Sequence, residues 1–139
     1  MPLKAYKNMN AYKLFVLDVG LLGAMSELPA ESILEGNDIF VEFKGALTEQ
    51  YVLQQLISDT PYTPYYYGNE KATFEQDFLI QKAKSIVPIE VKAEQNIRSH
   101  SLKTYCEKFQ PEEAVRFSTL KYKEQERMVN MPLYAVCNL

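Results

Sequence analysis

The chain has 139 residues, 47% of them apolar, and a formal net charge of −3. That length suits one compact domain around a single core, and no run of about 18 apolar residues is present to cross a membrane as a helix. The overall acidity argues against a strongly electrostatic polyanion binder, although the charge is uneven: residues 1–80 carry 5 Lys/Arg against 11 Asp/Glu, a net of −6, and residues 81–139 carry 10 against 7, a net of +3.

Met1–Asn10 lacks the apolar stretch of a secretory leader, so the expected location is the cytoplasm. Ala11–Leu17 is short and apolar, and reads as a strand leading into a turn over Val19–Met25 that Asp18 can cap. Glu27–Asn37 is polar, carries Pro29 and Gly36, and predicts a loop. The longest helical pattern opens at Asp38 and runs to about Ser58. Phe40, Phe43, Leu47 and Tyr51 recur at helical spacing, as do Ala46, Leu53, Leu56 and Ile57. Glu49 interrupts this second row, and a carboxylate at the edge of a buried stripe is costly unless something pairs with it.

Pro61 and Pro64 end that helix, and Tyr65-Tyr66-Tyr67 favours a strand before a turn at Gly68-Asn69. Phe74–Ile80 and Ile86–Lys92 predict two further strands. Ser99 can cap a second helix whose apolar stripe is Leu102, Tyr105, Cys106 and Phe109, and Pro111 stops it. Ala114–Ser118 reads as a strand, Leu120–Asn130 as a helix and Pro132–Val136 as a final strand. Cys106 and Cys137 have neither a metal spacing nor a disulfide framework, and are expected to be reduced, buried thiols.

The chemistry concentrates in the central pair of strands. Side chains alternate along a strand, so Val87, Ile89 and Val91 take one face and Pro88, Glu90 and Lys92 the other. In the preceding strand Phe74, Gln76, Phe78 and Ile80 share a face, opposite Glu75, Asp77 and Leu79. An antiparallel hairpin with its tip at Ala83-Lys84 pairs Ile80 with Val87 and Phe78 with Ile89, and burial selects that register. It also sets Asp77 opposite Glu90, with Lys92 two residues on. Adjacent carboxylates repel unless they share a proton or a cation, and an all-oxygen set suits Mg²⁺ or Mn²⁺. The expected metal set is Asp77 and Glu90 with Glu49 approaching from the long helix, and Lys92 is the expected stabiliser of charge in a hydrolysis. A solvated strand face with Glu–Lys pairs fits the same spacing. No Ser/His/Asp set, zinc spacing or Walker-type glycine loop is present, and His100, the one histidine, reads as a surface or capping residue.

Glu49, Phe74-Glu75-Gln76-Asp77-Phe78 and Pro88-Ile89-Glu90-Val91-Lys92, in a helix-strand-strand-strand-helix-strand order, resemble the PD-(D/E)XK, or restriction-endonuclease-like, superfamily. More closely, the chain resembles the C-terminal domain of unknown function found in bacterial and archaeal P-loop ATPases of the AAA superfamily. The segments that carry this are Lys13–Leu22 (KLFVLDVGLL), Gly45-Ala46-Leu47-Thr48-Glu49 and Met131–Val136 (MPLYAV). The resemblance implies an α/β fold with a mixed sheet and helices on both faces. It also implies Asp77 and Glu90 as metal carboxylates, Lys92 as catalytic lysine and Glu49 as the helix carboxylate. It further implies an upstream ATPase and winged-helix segment in the intact protein, and nucleic acid as a partner. Nuclease relatives often carry Gln-x-x-x-Tyr on the helix after the lysine strand, where this chain has Ser101 through Tyr105, with Ser in place of Gln. The expected organisation is a junction over residues 1–37, a nuclease-like core over 38–118 and a C-terminal helix and strand over 119–139. Two functions fit it: a Mg²⁺- or Mn²⁺-dependent nuclease domain, or a non-catalytic DNA- or protein-binding module of the ATPase.

Overall fold

The computed structural model describes residues 2–27, 29–35, 38–68, 74–93 and 100–139, with side chains placed outside 33–42. Its centre is a six-stranded mixed sheet with helices on both faces. The elements in chain order are α1 (Val19–Met25), α2 (Ala30–Glu35), α3 (Asp38–Asp59), β1 (Tyr65–Gly68), β2 (Glu75–Lys82), β3 (Ser85–Lys92), α4 (His100–Phe109), β4 (Ala114–Ser118), β5 (Lys123–Gln125) and β6 (Met128–Pro132). Short 3₁₀ turns cover Leu3–Tyr6 and Leu133–Asn138. The strand order is β1-β2-β3-β4-β6-β5. β2 runs antiparallel to both β1 and β3, β4 is parallel to β3 and to β6, and β5 closes the edge antiparallel to β6. No helix among the described residues is long and apolar enough to cross a membrane.

The hairpin that carries the expected site forms in the expected register. Phe78 pairs with Ile89, Ile80 with Val87 and Lys82 with Ser85, leaving Ala83 and Lys84 as the tip. Val52 and Leu56 of α3 pack on one face, against Phe78, Ile80, Val87, Ile89, Val115 and Phe117. Burying each such side chain contributes about 1.5–3 kcal/mol. Tyr105 of α4 packs on the other face with Leu79 and Phe74, joined by Tyr65, Tyr67 and Ile86.

Alternation holds along β3 but breaks in β2. Tyr65 pairs with Leu79 while Tyr67 pairs with Gln76, so β2 carries one more residue than β1 between those pairs. A register shift of one residue exchanges faces for everything beyond it. Phe74 therefore joins Leu79 and Tyr105 rather than Phe78, and Gln76 reaches Glu90 instead of the α3 core.

The ends of the chain depart further from the pattern reading. Residues 11–17 form no strand. They lie along α3, held by Gln50, whose side chain accepts from the Val16 N–H at 3.1 Å and donates to the Val16 carbonyl at 2.9 Å. Asp18 does cap α1, accepting from the Leu21 N–H at 2.7 Å. A short helix, α2, stands within the stretch read as a loop. Residues 120–130 form no helix: β5 and β6 make a hairpin there. β6 then pairs with β4 until Pro132, which lacks the N–H needed to continue the ladder. The expected last strand is instead the 3₁₀ turn that sets Ala135 and Val136 against α3. Cys106 is half-buried and Cys137 exposed, and both are free. Ser99 and Asn69, expected as a cap and a turn residue, lie outside the described residues.

Candidate active site

Glu90 sits in the middle of the sheet, 3% exposed. A carboxylate there needs partners, and the chain provides them from its own strand and the next. Lys92, two residues on and on the same face, places Nζ 2.7 Å from Glu90 Oε1. The Gln76 amide donates to Glu90 Oε2 at 3.2 Å and to the Ile89 carbonyl at 2.6 Å. The β3–β4–β6 ladder then sets Glu90 beside Arg116 and Arg116 beside Asn130. Asn130 Oδ1 accepts from Arg116 Nε at 3.0 Å and from Ser118 Oγ at 2.8 Å. Gln76, Glu90, Arg116 and Asn130 thus form a file of buried polar groups across four strands. Burial lowers the pKa of Arg116, and the negative charge of Glu90 works in the opposite direction.

Asp77 lies where β2 leaves regular pairing with β3. Its Oδ2 accepts the Val91 N–H at 2.7 Å, so a side chain takes the place of a ladder bond. Burial, then the negative charge of Glu90, push Asp77 up to about 7. The Val91 hydrogen bond opposes them, Glu49 adds a smaller push in the same direction, and Lys13 a smaller pull downward. Asp77 is therefore electrostatically coupled to Glu90 on one side and Glu49 on the other.

Glu49 approaches from α3, but its carboxylate is already engaged by Lys13, whose Nζ lies 2.9 Å from Oε1. The same ammonium pairs with Glu75 and stands 5.5 Å from the centre of the Tyr66 ring. Burial works against the charge on Lys13, but hydrogen bonds to Glu75 and Glu49 outweigh it and raise its pKa. Of the four expected site residues, Asp77 is coupled to Glu90 and to Glu49 and Lys92 pairs with Glu90, while Glu49 is already held by Lys13 instead of a cation shared by three carboxylates. Among the described residues no group of three or more His, Cys, Asp or Glu side chains stands ready to hold a metal. The chemistry of the Asp77–Glu90 pair still fits a hard dication, because two crowded carboxylates gain from one, and Mg²⁺ characteristically takes one or two carboxylates and completes its shell with phosphates and water. The side chain of Gln76 adds a second sign of fit: its Oε1 is buried and accepts no hydrogen bond.

Sequence reasoning passed over Lys13, Gln76, Arg116 and Asn130. Gln76 did leave a trace, as the polar residue on a predicted strand face with Phe74, Phe78 and Ile80, and so did Arg116, between Val115 and Phe117. Lys13 left none, because its partner Glu49 is 36 residues away.

Residues 44–136 match the family model described as Domain of unknown function (DUF4143). No curated protein and no solved structure matches the chain. With most of its length covered by that match, the chain belongs to the DUF4143 family.

Proposed function

We propose that this DUF4143-family chain is a restriction-endonuclease-like domain that hydrolyses phosphodiester bonds in nucleic acid with Mg²⁺ or Mn²⁺. The observation that carries the reading is the Glu90–Lys92 pair at 2.7 Å together with Asp77, held by the Val91 N–H and pushed up to about 7 by burial and by Glu90. Perturbed carboxylates of this kind concentrate at functional sites. The helix-strand-strand-strand-helix-strand order of α3, β1, β2, β3, α4 and β4 supports it as well.

In this reading Asp77 and Glu90 hold the cation, which when bound supplies Lewis-acid polarisation of the phosphoryl group. Lys92, with Nζ 2.7 Å from Glu90, stabilises negative charge that develops on the phosphate oxygens. Gln76 fixes the rotamer of Glu90 through its amide. The Val91 N–H holds Asp77 in place and favours its ionised form. Glu49, with Lys13, sets the charge on the far side of Asp77. In the intact protein an upstream P-loop ATPase and winged-helix segment deliver the nucleic acid, and the working compartment is the cytoplasm.

The test is cleavage of single- and double-stranded DNA and RNA with Mn²⁺ or Mg²⁺, by the chain alone and joined to its ATPase with ATP. Lys92→Ala should lower the rate by roughly 100- to 1000-fold while the fold persists, and Asp77→Asn should abolish cleavage. Absence of metal-dependent cleavage by the unaltered protein under all these conditions overturns the reading.

A second reading, a non-catalytic binding or regulatory module of the ATPase, is favoured by one observation: Lys13 already neutralises Glu49 and Glu75. It forecasts no cleavage, and retention of nucleic-acid or ATPase binding in both variants.

A further inference from the structure

Lys13 reaches the candidate active site from a segment with no regular structure, yet that segment is firmly placed. The Gln50 side chain brackets Val16, accepting from its N–H at 3.1 Å and donating to its carbonyl at 2.9 Å. One turn further along α3, Gln54 Oε1 accepts from the Val19 N–H at 3.0 Å. Phe15 packs against the main core, its ring centre 6.0 Å from that of Phe78. Residues 13–19 are thereby tied to the helix that carries Glu49. A lysine on an anchored backbone has less freedom to lose in pairing than one on a mobile surface.

The anchored lysine ends between two carboxylates. Its Nζ lies 2.9 Å from Glu49 Oε1, pairs with Glu75 as well, and stands 5.5 Å from the centre of the Tyr66 ring, whose face attracts a cation. The side chain is 23% exposed, so salt and water screen these pairs less than they would at an open surface. Lys13 and Glu49 both act on the charge of Asp77, so this position adjoins the Asp77–Glu90 pair. Two-metal sites for phosphoryl chemistry place their dications about 3.5–4 Å apart, and a small hard dication sits about 2.1 Å from each carboxylate oxygen. An ammonium held at hydrogen-bonding distance by the same oxygens fills that space. It also supplies half the charge that a dication would bring.

We propose that Lys13 is a tethered cation that takes the place of a second metal ion, so that this chain works with one dication, held by Asp77 and Glu90. The inference rests on the phosphodiester reading above and fixes its metal count. Lys13 acts through Glu49 and Glu75, keeping them from the bound ion and offsetting their charge, and is in that sense a positioning residue. A purely structural ion pair makes a different forecast, because its removal leaves the number of bound ions unchanged.

The test counts bound Mn²⁺ per chain by electron paramagnetic resonance, from the loss of the free-ion signal as metal is added to millimolar concentration. The unaltered protein should bind one ion. Lys13→Met keeps the apolar stem and drops the charge, and Lys13→Gln is a second charge-free variant should the first not fold. Each should keep the far-UV circular dichroism and take up a second Mn²⁺, held by two carboxylates and water. Lys13→Arg restores a cation and should return the count to one. Lys13→Met combined with Glu49→Gln should do the same, which places the additional ion on Glu49. Two ions on the unaltered protein overturn the inference without any substitution. So does a count that neither charge-free variant raises, an additional ion that persists in Lys13→Arg, or one that survives Glu49→Gln. Metal-dependent cleavage with an unchanged count in the charge-free variants sinks the tethered cation and spares the phosphodiester reading. No ion on the unaltered protein, with one gained in Lys13→Met and lost again with Glu49→Gln, spares the role of Lys13 and sinks the Asp77–Glu90 metal. No ion on any of these proteins sinks both.

Discussion

Asp77 is the residue at which sequence and environment pull furthest apart. Its type is that of an ordinary acid, yet burial and Glu90 raise its pKa from 3.8 to about 7. Between those two values the folded chain retains a proton that the unfolded chain has released. The stabilisation Asp77 contributes is therefore complete below pH 4 and is lost as the pH rises through 7. Asparagine cannot ionise and can still accept the Val91 N–H. Asp77→Asn should accordingly gain on the unaltered protein by roughly 1–4 kcal/mol between pH 4 and pH 8, read from urea unfolding at a series of pH values. Parallel profiles for the two proteins would mean that Asp77 titrates as a free carboxylate. Glu90 and Lys92 were visible in the sequence as an alternating pair on one strand face. The lysine that meets Glu49 was not, since no local pattern relates positions 13 and 49.

The elements show which local rules held against tertiary demands. α3 carries its start, its period and its proline stop in sequence, and forms over Asp38–Asp59. The β2–β3 hairpin follows from its apolar pairs, and its tip takes a conformation that its residues do not favour: Ala83 has φ 54°. Gln110, just past the last residue of α4, has φ 46° and donates its N–H to the Cys106 carbonyl at 2.9 Å. Both positions are left-handed, where a Cβ costs about 1–2 kcal/mol and glycine costs only its backbone entropy, roughly 0.5–1 kcal/mol. Ala83→Gly and Gln110→Gly should each stabilise the domain by about 0.5–1 kcal/mol, seen as a rise in Tm of a few degrees. A fall in Tm in either variant would show that the side chain contributes more than its strain removes. The segment 120–130 went the other way: its polar, helix-compatible composition suggested a helix, but β4 presents an open edge. Asn130 there accepts from Arg116 and Ser118 and donates to the Leu120 and Lys121 carbonyls. Pairing of that kind overrides intrinsic preference.

At the scale of the whole molecule, the sheet lays polar groups from β2, β3, β4 and β6 side by side beneath α4, with α3 closing the far side of Asp77. Such an arrangement holds repulsion between Asp77 and Glu90 that a dication would relieve. Mn²⁺ should therefore raise the Tm, by the equivalent of about 2.7 kcal/mol when the metal exceeds its Kd a hundredfold. The gain should vanish in Asp77→Asn and in Glu90→Gln. A thermal scan with no shift at millimolar Mn²⁺ would count against the metal, and an equal shift in both variants would move the metal elsewhere. Unequal losses in the two variants would tell which carboxylate contributes more.

The α/β class, the long helix, the hairpin with its apolar pairs, and the shared face of Glu90 and Lys92 were all legible in the order of the amino acids. All of these follow from periods of two and 3.6 residues over short spans, where covalent geometry decides which side chains are neighbours. The extra residue in β2 that turns Gln76 toward Glu90, the lysine that bridges Glu49 and Glu75, the polar file through Arg116 and Asn130, and the C-terminal hairpin emerged with the folded chain alone. Each of these depends on groups far apart in the chain. Their positions are set by which buried polar atom must find a partner once the sheet has closed around it.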